Sequence, residues 1–134
     1  MLVNVINKLF EHSNHHIEIR YDKMLPMVGL SFIEKSIHGK LIPVILINLD
    51  LIPTNESVIA HILSHEWAHH VLRHISLNPE KESKEEIITK EKQADEYASS
   101  FCRKFKYNLD DIERFINQCP IVDFDRIKIL RNKK

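Results

Sequence analysis

His65-Glu66-Trp67-Ala68-His69 lies inside a run, Ser57 to about Leu77, that contains nothing to break a helix. On a helix, two His at i and i+4 stand about 40° apart on one face, so both imidazoles can reach a single metal ion. Glu66 points to the side of that face, where it can hold a water beside the ion. The pattern H-E-x-x-H also arises by chance in chains rich in His and Glu. A second stretch therefore carries weight: Glu91-Lys92-Gln93-Ala94-Asp95, on what the spacing predicts to be the next helix.

Around the His pair, Val58, Ile62, Ala68 and Leu72 share the face of His65 and His69, while Ile59, Leu63, Trp67 and Val71 cover other faces. A helix apolar on most sides is buried on most sides, which makes this the central helix of the domain. Pro53-Thr54-Asn55-Glu56 opens it, with Thr54 or Asn55 as N-cap, and Asn78-Pro79 ends it. Glu80 to Glu86 reads as a polar, solvated connection.

The following helix spans about Lys84 to Lys106, with the inward stripe Ile87, Ile88, Glu91, Ala94, Asp95, Ala98, Phe101, Cys102, Phe105. Two acids inside an apolar stripe need compensation, because an unpaired buried carboxylate is costly. A metal ion and a metal-bound His provide it. Glu91 is the candidate third ligand. Asp95, one turn on, can accept the free N–H of a ligand His and fix its tautomer. Ala94 and Ala98 let the two helices approach closely. Glu66, left over from coordination, is the candidate general base.

Other readings of the same residues exist. His65 and His69 could be core histidines in a salt-bridged network with Glu91 or Asp95. A closed structural zinc site would need a fourth ligand, for which His61 is a candidate; otherwise His61 lines the cleft or packs there. His70 and His74 point away from His65 on a continued helix and read as structural or surface residues. Of His12, His15 and His16, clustered after the first helix, the sequence permits either exposed loop residues or a second metal site.

Working outward, Leu2, Val5, Ile6, Leu9 and Phe10 predict a short amphipathic helix over 2–12. Ile17, Ile19 and Tyr21 alternate with charged residues as in a half-buried strand, and Val28 to Lys35 is a second strand. Ile37-His38-Gly39-Lys40 is a hairpin turn. Leu41 to Leu49 is the third strand; Pro43 suggests an edge, where a peptide could add. Asn108 or Asp110 caps a short helix to about Gln118, and Asp123 to Arg131 is a last one. The apolar residues after Pro120 (Ile121, Val122, Phe124) either pack as a C-terminal helix or lie in the cleft with Asp123 or Asp125 near the metal.

The fold class expected is α+β: a small antiparallel three-stranded meander on an active-site helix and a glutamate helix, with short terminal helices. The 134 residues fit one domain (1–134), with a core over 17–106 and a helical segment over 107–134. The formal net charge is zero, which argues against direct nucleic-acid binding through counterion release. The short basic end Arg131-Asn132-Lys133-Lys134 reads as a solvated terminus. Cys102 and Cys119 lack C-x-x-C spacing, and Cys102 reads as a buried thiol. The absence of a signal-like N-terminus or a long apolar run predicts a soluble, cytoplasmic protein without membrane contact.

The two stretches His65–His69 and Glu91–Asp95 resemble those of the gluzincin metallopeptidases, in their compact forms: minigluzincins, the catalytic cores of HtpX-like proteases and the ImmA/IrrE-type peptidases. The resemblance covers roughly residues 17–106. It implies a Zn2+ site of His65, His69 and Glu91, Asp95 behind a ligand, Glu66 as base, and hydrolysis of a protein or peptide substrate laid along an edge strand. HtpX-like enzymes carry membrane helices, absent here, and ImmA/IrrE-type peptidases often have Asn in place of Asp95. A metzincin would need Gly and His where this chain has Leu72 and Ile75. Tyr97, Tyr107, His70 and His74 remain alternatives as stabilisers of the oxyanion. Two alternatives to a general metallopeptidase stay open: a zinc-binding regulatory module without turnover, and an ImmA-like peptidase of one repressor.

Overall fold

The computed structural model describes residues 1–75 and 81–132. Asn78-Pro79, the start of the polar connection at Glu80 and the final Lys133-Lys134 lie outside them, and the central helix expected to reach about Leu77 already ends at Val71. In chain order the elements are α1 (Leu2–Ser13), β1 (Glu18–Tyr21), β2 (Gly29–Lys35), β3 (Leu41–Ile47), a one-turn 3-10 helix (Leu49–Leu51), α2 (Glu56–Val71), α3 (Lys84–Lys104), α4 (Leu109–Asn117) and α5 (Arg126–Arg131). The α+β class with three strands holds.

The strand pairing differs from a meander. The order is β1-β3-β2, with β2 antiparallel and β1 parallel to β3, so the sheet is mixed. The strand expected on the edge, Leu41 to Leu49, is the central one. Pro43 is tolerated because pairing with β1 begins only at Val44, so β3 still has one neighbour at Pro43, Ile33 of β2. Among the described residues the free edges belong to β1 and β2. The β2–β3 turn is as expected, with Gly39 at φ 78, a value that favours glycine.

Asn55, not Thr54, caps α2; its Oδ1 accepts from the Val58 N–H, and its amide donates to Asp111 in α4. Ser83, Asn108 and Asp125 cap α3, α4 and α5 in the same way. α2 is buried on nearly every side, from Ser57 through Ser64 and again from Trp67 to His69. Leu63 and Trp67 join Val5 and Leu9 of α1, Ile45 and Ile47 of β3, Phe101 of α3, Ile112 of α4 and Leu130 of α5 in one core. The Trp67 indole N–H donates to Ser13 Oγ at 2.8 Å, which satisfies its buried donor at the end of α1. Cys102 is buried and free, and burial pushes its thiol pKa up to about 12. Among the described residues no helix is long and apolar enough to cross a membrane.

Candidate active site

α2 and α3 pack side by side with Ala94 and Ala98 fully buried between them, and the small side chains bring the His and acid faces together. His65 Nε2 lies 3.0 Å from Glu91 Oε2, and His69 Nε2 lies 3.2 Å from Glu91 Oε1. One carboxylate thus touches the same ring nitrogen of both histidines. On the far side of His65, Nδ1–H donates to Asp95 Oδ1 at 2.7 Å. Asp95 is buried, and Arg126 of α5 clamps it, Nε on Oδ2 at 2.6 Å and Nη2 on Oδ1 at 3.1 Å. All four residues singled out on α2 and α3 (His65, His69, Glu91, Asp95) therefore meet.

Glu66 stands beside this cluster, held by the sheet. Ser31 Oγ lies 2.9 Å from Glu66 Oε1 and 2.8 Å from the Glu66 carbonyl oxygen, both within reach of its single hydroxyl proton. Gly29 leaves the room: a Cβ there would stand 3.1 Å from Glu66 Cγ. His65, Glu66 and His69 each offer a ligand atom within 4.8 Å of the others, and such a group could hold a metal ion. The donor set suits a metal ion: two imidazoles with converging Nε2 atoms, the Glu91 carboxylate at contact distance from both, and both Nδ1 atoms engaged elsewhere.

The charges follow from this packing. Burial opposes protonation of His65, but hydrogen bonds to Asp95 and Glu91 outweigh it and raise its pKa to about 10. Burial likewise opposes ionisation of Asp95, yet His65 and Arg126 bring it down to about 2. Glu91 is held far below the usual carboxylate range: burial works the other way, and hydrogen bonds from His65 and His69 overcome it. Burial, above all, pushes His61 down to about 3. His61 is 1 % exposed, faces the cavity beside His65, and its Nε2 has no partner among the described residues.

These shifts predict opposite pH behaviour with and without metal. The raised pKa of His65 stabilises the metal-free fold fully below its unfolded value near 6.5, and this contribution is lost as pH rises towards 10. The depressed acids contribute above their unfolded values near 4 and lose that contribution as pH falls. The lowered pKa values of His61, His12, His70 and His74 work the other way and cost stability as pH falls below about 6.5, so the metal-free protein should be most stable near pH 6.5. A metal ion bound through His65 would need that ring unprotonated, so stabilisation by added metal should grow over the range where the metal-free form weakens. Thermal midpoints with chelator and with zinc from pH 5 to 9 check this; a metal-free midpoint that stays level above pH 6.5 would refute it.

Several neighbours of the cluster carry no signal in the sequence. His74 does not point away to the surface: it is buried, with Nδ1 3.1 Å from His69 Nδ1 and Nε2 2.8 Å from Gln93 Oε1. Burial lowers its pKa. His70 is structural as expected, its Nε2 donating to the Val44 carbonyl at 2.9 Å. The segment after Pro120 does border the site, but with Val122 and Phe124, while Asp123 is exposed and Asp125 caps α5. The charged group that reaches the cluster from there is Arg126, a base rather than an acid. Two openings flank the cluster. A groove of about 530 Å³ runs between β2 and α3, lined by Gly29, Ser31, Phe32, Glu66, His69 and Glu91 among others. A smaller cavity of about 180 Å³ lies on the other side of Glu66, walled by Val28, Ile62, Phe115, Val122 and Phe124.

Residues 56–114 match the family model described as Peptidase U49. The match covers α2, α3 and most of α4, less than half of the chain and none of the sheet. It indicates a peptidase family, and a peptidase acts on protein or peptide. Neither a curated protein nor a solved structure matches the chain.

Proposed function

We propose that the protein is a zinc-dependent endopeptidase of gluzincin type, with His65, His69 and Glu91 as metal ligands and Glu66 as general base. The observation that carries the reading is the double contact of Glu91 with both Nε2 atoms, while Glu66 is turned aside onto Ser31. A zinc ion held there would supply Lewis acidity to the scissile carbonyl. Glu66 accepts the proton of the attacking water and passes it to the leaving amine. Asp95, itself fixed by Arg126, holds the His65 ring in place and keeps its proton on Nδ1.

The substrate backbone lies along β2, whose outer edge has no partner strand among the described residues and whose residues Gly29 to Phe32 line the groove. This replaces β3 as the docking strand, since β3 has neighbours on both sides. The smaller apolar cavity beside Glu66 takes an apolar side chain next to the cleaved bond. The test is digestion of an unbiased peptide library, with metal content measured by mass spectrometry. About one zinc per chain, cleavage abolished by chelator and restored by zinc, and a preference for apolar residues on one side of the cut are expected. With a peptide-like inhibitor, the β2 amides should gain hydrogen-exchange protection; gain confined to other segments would reject the docking strand.

A further inference from the structure

The end of α2 is built to bring His74 back under His69. Leu72 N–H donates to the Ala68 carbonyl, Arg73 N–H to His70 and His74 N–H to His69, at 2.8, 3.1 and 2.8 Å. This is a helix-ending turn whose left-handed residue is usually glycine, yet Arg73 occupies it at φ 57. The turn sets the His74 ring 5.2 Å from the His69 ring, centroid to centroid, at 58°. Lys90 Nζ, which also pairs with Glu82, donates to the His74 carbonyl at 2.7 Å and ties the turn to α3.

We propose that His74, oriented by Gln93, is a positioning residue that keeps the lone pair of His69 on Nε2, where a metal ion needs it. The inference rests on the reading of His69 as a zinc ligand. Gln93 Oε1 can only accept, so His74 Nε2, 2.8 Å away, carries the proton and donates. A neutral imidazole has one N–H, which leaves a lone pair on His74 Nδ1. That atom is 3.1 Å from His69 Nδ1, which must then donate. Once the Nε2 proton that faces Glu91 is given up to a metal ion, neutral His69 keeps its remaining proton on Nδ1 and its lone pair on Nε2. Run in the other direction, the relay would place a proton on His69 Nε2 and block it. The two ligand histidines are thus oriented by different chemistry, His65 by a clamped carboxylate and His69 by a neutral histidine.

The test compares His74→Asn with His74→Phe. Asn can set its amide oxygen where the His Nδ1 stands, whereas Phe fills the space and accepts nothing. Zinc affinity, by chelator competition, should fall about 10–100-fold in His74→Phe and stay near wild type in His74→Asn. The visible spectrum of the cobalt(II)-loaded protein should change only in His74→Phe. Should His74→Phe fail to fold, Gln93→Leu keeps the question answerable, because Gln93 is exposed. That variant should weaken zinc binding without changing the thermal midpoint of the metal-free protein. Wild-type affinity in the folded His74→Phe protein, or in Gln93→Leu when His74→Phe does not fold, overturns the proposal, as does equal loss in His74→Asn and His74→Phe. Wild type that binds no zinc overturns the metal site and this inference together.

Discussion

Glu66→Gln should fold and bind zinc like wild type while cleaving peptides about 10²–10⁴ times more slowly. The substitution keeps the size of the side chain and its ability to accept from Ser31, so the cradle of Gly29 and Ser31 remains filled. What it removes is basicity. A neutral amide cannot take the proton of the attacking water, so only the barrier of the chemical step should rise. The expected signature is a fall in kcat with little change in KM. Single-turnover cleavage and zinc stoichiometry on the same preparations measure both halves. Cleavage at wild-type rate would remove Glu66 from the mechanism. Loss of zinc would mean that Glu66 helps to hold the ion. Wild type inactive against a broad library would favour a zinc-binding module without turnover.

How much of the fold and the site is legible in the sequence depends on the range of the interaction. The His pair and the two acids follow from helical spacing, and burial of acids in an apolar stripe demands a partner, so residue spacing alone matches α2 to α3. The sheet is less readable. Alternation tells which residues of a strand face inward, and Tyr21 breaks even that by being 62 % exposed. Alternation does not tell which strand lies beside which, and Pro43 points to the wrong edge. His74 is misplaced by a helix continued past Val71: a helical projection moves it away from His65, whereas the turn at Arg73 folds it back. Arg126 leaves no local signal at all, since its contact with Asp95 spans 31 residues and depends on where α5 docks. Ser31 and Gly29 gain their meaning only because β2 passes beside Glu66.

Glu91→Ala should abolish tight zinc binding and, with it, peptide cleavage, more severely than any change behind the ligands. In the proposed site Glu91 would contribute the one oxygen donor to a set whose other members are neutral imidazoles, and so also the negative charge that offsets the ion. Its loss removes a ligand and leaves His65 and Asp95 to pair without it. The fold should survive, because the Glu91 side chain is 44 % exposed, and its salt bridges to the histidines hold little of the core. Glu91→Gln separates charge from shape: it keeps a carbonyl oxygen in place and should bind zinc at an intermediate affinity. The decisive comparison is with Glu66→Gln, since Glu66 and Glu91 both lie within reach of the two histidines. If Glu91 is the ligand and Glu66 the base, zinc content falls in the Glu91 variants and stays intact in Glu66→Gln. The reverse pattern would exchange their roles, and zinc retained by both would mean that either carboxylate can complete the site. His69→Ala should lose zinc as fully as Glu91→Ala, because two remaining donors on separate helices cannot hold the ion against water.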